Sequence, residues 1–492
     1  MPMWSKAAVA LLAVAPAALA EFVPPQGWAT CDVAPGSKCK MNQIKQPTLV
    51  KPHGATTCAD GGDYGFAIFP GDRKKLAIHF GGGGACWEAN GAIGKVPVTD
   101  LCWRALEGAF AFAVTGQGVL DLQNGPAAGY TTIVLLDCTG DVYLGDTTLI
   151  ARDGAVLQQR GYINALAVKA WAADNFPQKL DVFSIFGYSA GALAAMAWAG
   201  DFLGDFKYKR AFVMLDSYAT HYPPDVEGNT LARWGACGAQ IFDEEWRKMC
   251  EEGNIGVAMV LERDLKKFPN VPFATIQSKE DETHIKFYIA FAQSWGLAEY
   301  MTLTGPELYT ATNEFFAERQ TFHPNFKVYY VDGEAHILTN SPHLYTASSA
   351  GEATPSCQPS LLEWVTAFIG GQVVEDVCYG PAGRTPVPGA TDYCTIGDVI
   401  NCDDVESMPE EAAAEVDQLG LAAARGALAA SSPSMCFAVL SAACVAVAVA
   451  AGAVACRRLA APAKVEPALV EAGLAELARR APEAGDASGL AG

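Results

Sequence analysis

Phe186-Gly187-Tyr188-Ser189-Ala190-Gly191-Ala192 is the stretch that decides how this chain is read. It matches G-x-S-x-G, a tight strand-to-helix turn that strains a serine and exposes its hydroxyl. Side chains at the two glycine positions would collide with the neighbouring strand and helix. The bare pattern is weak, and context gives it weight. An apolar run, Leu180 to Phe186, precedes it, and the alanine-rich run Ala192 to Ala199 (ALAAMAWA) follows.

Further apolar, β-rich runs lie on both sides: Lys75–Phe80, Thr131–Asp137, Arg210–Leu215, Val271–Gln277 and Phe326–Val331. Runs of this kind suit parallel strands buried on both faces. Between them, Gly161–Trp171, Gly191–Trp198 and Ile285–Trp295 have helical composition and spacing, and Leu361–Ile369 reads as a last helix. The alternation predicts an α/β fold with a mostly parallel sheet and helices on both faces.

A serine hydroxyl becomes a nucleophile only when a base takes its proton and an acid orients that base. In α/β-hydrolases these follow in the order serine, acid, histidine. After the Phe326–Val331 run comes Asp332-Gly-Glu-Ala-His336, which makes His336 the candidate base. After Val271–Gln277 comes Ser278-Lys-Glu-Asp281-Glu-Thr-His284, which makes Asp281 the candidate acid, with Glu280 and Glu282 as adjacent alternatives. Asp216, after Arg210–Leu215, is the runner-up from another strand. His284 is on the wrong loop for the base, His79 lies within a strand, and His53, His221, His323 and His343 lack a placed acidic partner.

The run Gly81 to Gly84 within LAIHFGGGGACWEANGA could also cradle a phosphate. A P-loop needs a lysine that is missing after Gly84, and Cys86 and Trp87 are bulky where a dinucleotide-binding helix would begin. An ester hydrolase instead needs backbone N–H groups aimed at the developing oxyanion. One comes from the residue after the serine, here Ala190, and another from the loop after the third strand, a place that His79–Ala85 fits.

HFGGGGACW, then DCTGDVYLGD (Asp137 to Asp146), then FGYSAGA, in that order, resemble the pectin acetylesterase and Notum family of serine esterases. The resemblance covers roughly Cys58 to His336. It implies an α/β-hydrolase fold and cofactor-free hydrolysis of acetyl or acyl esters by Ser189, Asp281 and His336. It also implies oxyanion donors at Gly83, Gly84 and Ala190, and a disulfide near the oxyanion loop through Cys86. A bulky residue at Gly83 or Gly84 is then expected to spare folding more than turnover. The chain departs from the family at Ala192, where many members have glycine, and at Ile337, where animal and plant members commonly have cysteine.

The ends frame this region. Residues 1–20, with Lys6, an apolar stretch and Ala18-Leu19-Ala20, read as a secretory signal peptide. Residues 21–400 read as the esterase ectodomain and 401–434 as an acidic stalk. Residues 435–456 carry no charge and, at 1.5 Å per residue, would span roughly 33 Å as a helix. Arg457 and Arg458 follow, so the expected placement is single-pass type I, with 457–492 as a cytoplasmic tail and the membrane as a partner. Twelve cysteines precede the span, an even number that suits a disulfide-stabilised domain; Cys86 with Cys102 is one local loop the chain can close. No Cys/His cluster has zinc spacing, so no metal is expected. A net charge of −20 without a basic stripe argues against a nucleic-acid partner.

The expected activity is removal of acetyl or other acyl esters from a polysaccharide such as pectin. The alternatives are a Notum-like lipid or protein deacylase and an inactive hydrolase fold used for binding. Pocket depth separates the first two, and sequence does not reveal it.

Overall fold

The computed structural model describes residues 22–34, 39–91, 94–98, 101–150, 156–349 and 358–378. Nine strands form one sheet: β1 (Ala29–Asp32), β2 (Thr48–Lys51), β3 (Phe66–Phe69), β4 (Asp72–Phe80), β5 (Tyr130–Leu135), β6 (Leu180–Tyr188), β7 (Tyr208–Asp216), β8 (Phe273–Ser278) and β9 (Phe326–Val331). Their order is β1-β2-β3-β5-β4-β6-β7-β8-β9. The pairs from β5 to β9 are parallel, as is β1 with β2, while β3 runs antiparallel to both neighbours. All six strands read from the sequence belong to the contiguous parallel run from β5 to β9.

Burial on both faces explains their near-continuous apolar character. In β7, Ala211, Val213 and Leu215 enter one core, and Phe212 and Met214 enter the other. The first core is closed by helices α1 (Gly161–Asn175), α2 (Ala190–Asp205) and α4 (Val257–Lys267), the second by α7 (Leu361–Gly370). Between these in the chain lie α3 (Val226–Arg233), α5 (Glu282–Trp295) and α6 (Gly305–Phe322). Among the described residues, disulfides join Cys31–Cys39, Cys58–Cys138, Cys86–Cys102 and Cys237–Cys250.

The chain leaves β4 toward β5 on one side and leaves β6 toward β7 on the other. Connections that diverge from adjacent parallel strands open a crevice at their carboxyl ends, where open α/β sheets bind ligands. The glycine run follows β4 and Ser189 follows β6, so both loops border that crevice.

The proposed signal peptide, acidic stalk and tail lie outside the described residues, as does the membrane helix expected at 435–456. Among the described residues no helix is long and apolar enough to cross a membrane. The longest, α6 with 18 residues, carries Glu307, Glu314, Glu318 and Arg319, charges that hydrocarbon would not tolerate. The single-pass type I placement and the membrane partner are corrected accordingly: no described element provides either.

Candidate active site

The turn after β6 is as tight as its glycines imply. Ser189 has φ 55° and ψ −128°, a sparsely populated conformation for a residue with a side chain. A Cβ on Gly187 would lie 2.0 Å from the Gly191 carbonyl oxygen, and one on Gly191 would lie 2.1 Å from that of Phe80. Helix and strand therefore approach closely enough to hold Ser189 at the crevice.

The structure brings the three expected triad residues together. His336 Nε2 lies 2.8 Å from Ser189 Oγ, and His336 Nδ1 lies 2.8 Å from Asp281 Oδ2. Asp281 is fully buried and caps α5, accepting the His284 backbone N–H at 2.9 Å. Gln277 Nε2, 3.3 Å from Oδ2, further fixes the carboxylate. The adjacent carboxylates do not compete for His336: Glu282 pairs with Lys286 at the surface, and Glu280 packs beside Gly305.

Asp216, the runner-up acid, does something else. Its carboxylate accepts the backbone N–H groups of Leu338 and Thr339 and the hydroxyls of Thr339 and Ser217. Burial pushes its pKa up, and these hydrogen bonds oppose that shift. Ser217 Oγ accepts the N–H of Ile337, a β-branched residue at φ 64°. No sequence pattern signals this clamp on the loop after His336.

Ser189, Ala190, Gly84 and Ala85 line one pocket with Val142, Leu193, Tyr218, Tyr222, Trp234, Phe287 and Phe291. The N–H groups of Gly83, Gly84 and Ala190 have no hydrogen-bond acceptor among the described residues. Gly84 lines the pocket, whereas Gly83 packs on Asp137. The Gly84 backbone pairs with Cys102 across the Cys86–Cys102 disulfide, and Trp103 donates to the Gly83 carbonyl at 2.9 Å. A Cβ on Gly84 would fall 1.9 Å from the Leu101 carbonyl oxygen, and one on Gly83 would fall 2.5 Å from Asp137. The expectation that bulk here spares folding is therefore revised: both positions are filled by backbone and buried side chain.

Under this loop sits Asp137, fully buried, its Oδ1 accepting the Gly140 N–H at 3.1 Å and its Oδ2 unpartnered among the described residues. Burial, with the Asp141 charge beside it, raises its pKa to about 8. Tyr143 donates to the Gly81 carbonyl at 2.8 Å and bridges to that of Leu135. The DCTGDVYLGD stretch is thus the floor of the glycine loop.

His79, His284 and His53 make contacts elsewhere. His79 is buried against Phe186, and burial lowers its pKa to about 3. His284 stacks on Tyr218 at 4.2 Å and donates from Nε2 to the His221 carbonyl. His53 pairs with Asp32 at the surface. The pocket's aromatic side chains carry no sequence signal, because they come from segments far apart in the chain. No group of metal-ligating side chains occurs among the described residues.

A mostly parallel sheet with the strained Ser189 turn after β6 and Asp281 and His336 after β8 and β9 is an α/β-hydrolase fold. No family profile matches the chain, and no curated protein matches it. Among solved structures it is similar to two crystal forms of the Wnt deacylase Notum from Drosophila. Form II is 14% identical, with 68% of this chain and 96% of that one covered and a TM-score of 0.43. Form I is 14% identical, with 66% and 94% covered and a TM-score of 0.42. Likeness this distant says nothing of activity or substrate.

Proposed function

We propose that the protein is a serine carboxylesterase that removes short acyl groups, acetyl above all, from an acylated polysaccharide. The observation that carries this reading is the pair of hydrogen bonds linking Ser189 Oγ to His336 and His336 to Asp281. In this mechanism Ser189 attacks the ester carbonyl while His336 Nε2 takes its proton. The oxyanion is met by the N–H groups of Ala190 and Gly84, with Gly83 in support. His336 then returns the proton to the leaving alcohol. Water, deprotonated by His336, releases the acid from the acyl-enzyme. Asp281 holds the imidazole in the required tautomer.

Pocket size supports a short acyl group. The space beside Ser189 amounts to about 20 Å³ for the centres of water-sized atoms, on a scale where one water needs roughly 10–15 Å³. Tyr222, Trp234 and Phe291 close it. That space favours a short acyl group over a fatty chain and so disfavours the lipid-releasing alternative. The polysaccharide rests on the motif resemblance to pectin acetylesterases.

The test is a series of p-nitrophenyl esters from acetate to decanoate, with acetate release from acetylated pectin measured alongside. Highest kcat/KM on acetate, abolished by Ser189→Ala, is expected. Undiminished turnover in Ser189→Ala, or a preference for eight carbons or more, overturns the proposal.

A further inference from the structure

Behind the wall of the acyl pocket lies a second, smaller chamber. Val142, Leu193, Tyr222, Trp234 and Phe291 line both spaces, and the inner one adds Glu227, Thr230, Leu231 and Val257. The inner space is about 10 Å³ on the same scale, roughly one water or one hydroxyl group. Its composition differs from the outer space. Glu227 and Thr230 stand three residues apart on α3, a spacing that puts both on one face of the helix.

Neither side chain is fully used by the fold. Thr230 is 3% exposed and its Oγ1 has no hydrogen-bond partner among the described residues. Glu227 Oε1 accepts the Val257 N–H at 2.8 Å, which fixes the carboxyl against the start of α4, while Oε2 takes no hydrogen bond among the described residues. A buried hydroxyl without a partner is rare in folded proteins and calls for an explanation. Here a residue with an unpartnered hydroxyl and one with a carboxyl both line a chamber that shares five of its walls with the pocket beside Ser189.

We propose that this chamber is a distal polar subsite, so that the enzyme favours short acyl groups carrying a hydroxyl over their alkyl counterparts. The inference rests on the esterase reading above for its substrate and extends it from acyl length to acyl chemistry. The hydroxyl would donate to Glu227 and accept from Thr230. An alkyl group of equal length would leave both polar groups unpaired, which is how sites built for a hydroxyl reject analogues without one. The groove along Ala29–Thr48, larger and open, offers no such convergence of buried polar atoms.

Two measurements test it, each a ratio within one protein. Calorimetric titration compares 3-hydroxybutyramide with butyramide, and kinetics compares their p-nitrophenyl ester counterparts. The full-length protein is expected to favour the hydroxy compound about tenfold in both. Thr230→Val should bring each ratio near one, and Thr230→Ser, which keeps the hydroxyl, should restore it. Equal binding of the two amides, or a ratio that survives Thr230→Val, overturns the subsite and leaves the chamber a water site. The amide titration needs no turnover. Hydroxy-selective binding without Ser189-dependent hydrolysis would sink the esterase reading and spare the subsite.

Discussion

The backbone carbonyl of Asp216 accepts the Ser189 N–H at 2.9 Å, at the end of the β6–β7 register where Tyr188 faces Asp216. The same residue's carboxylate holds Leu338 and Thr339, just beyond His336. One residue at the end of β7 therefore sets the position of both the nucleophile turn and the histidine loop. In the proposed mechanism it touches no reacting atom and acts by positioning.

Asp216→Ala is expected to lower kcat by about 10- to 100-fold with little change in KM, because the substrate pocket is lined elsewhere. Asp216→Asn keeps an acceptor for the two N–H groups and should retain more activity than alanine. A tenfold loss is about 1.4 kcal/mol of barrier. Parallel rises in KM for both variants would mean that the pocket, and not the histidine loop, had moved.

Asp281→Asn should cost about 10³–10⁴ in kcat, since an amide facing Nδ1 favours the wrong imidazole tautomer. Glu280→Gln and Glu282→Gln should remain within about twofold of the unaltered protein. Comparable losses at Glu280 or Glu282 would reassign the acid.

Gly84→Ala faces two penalties. The residue sits at φ 79°, and its Cβ would collide with the Leu101 carbonyl oxygen. We expect a drop in Tm of several degrees together with loss of turnover. A variant of unchanged Tm would show that the loop yields more easily than its packing indicates.

Stability should depend on pH in a way that isolates Asp137. The folded protein retains the Asp137 proton up to about pH 8, while the unfolded chain releases it near the ordinary value of about 3.9. The associated stability is full below that ordinary value and is lost as pH rises through 8. Asp141, raised to about 6, and Glu227, raised to about 7, act in the same sense over narrower windows. Buried His79 and His284, lowered to about 3 and about 4, act oppositely and only below about pH 6.5. Between pH 7 and 8, Asp137 dominates among these five groups, so Tm should fall there, and Asp137→Asn should flatten the fall. A slope unchanged in the variant would sink the assignment.

How much of this was legible in the sequence follows from what each element buries. The six strands of the contiguous parallel run announce themselves because both faces enter a core. β1, β2 and β3 escape notice because four residues are too few to display a period. Ser189, Asp281 and His336 were accessible through their order relative to strand ends, which is a property of the chain. The acyl pocket was not, since Leu193, Tyr222, Trp234 and Phe291 converge only after α2, α3 and α5 have packed. Asp216 was seen as a carboxylate in a suitable place, but its partners are backbone amides more than a hundred residues away. Of the two glycines implied by resemblance, only the structure separates Gly84, in the pocket, from Gly83, against Asp137.

Helix α2 begins at Ala190, and Ala190 through Gly200 are buried without interruption. Its first peptide dipoles point into the pocket from a stretch that the protein covers as far as Gly200. A helix terminus at a protein surface loses much of its field to dissolved salt, whose screening length is about 8 Å at physiological ionic strength. Here the positive end is shielded by the protein itself. Hydrolysis of a neutral ester should accordingly stay nearly constant from low to high ionic strength, even though the chain as a whole is strongly acidic.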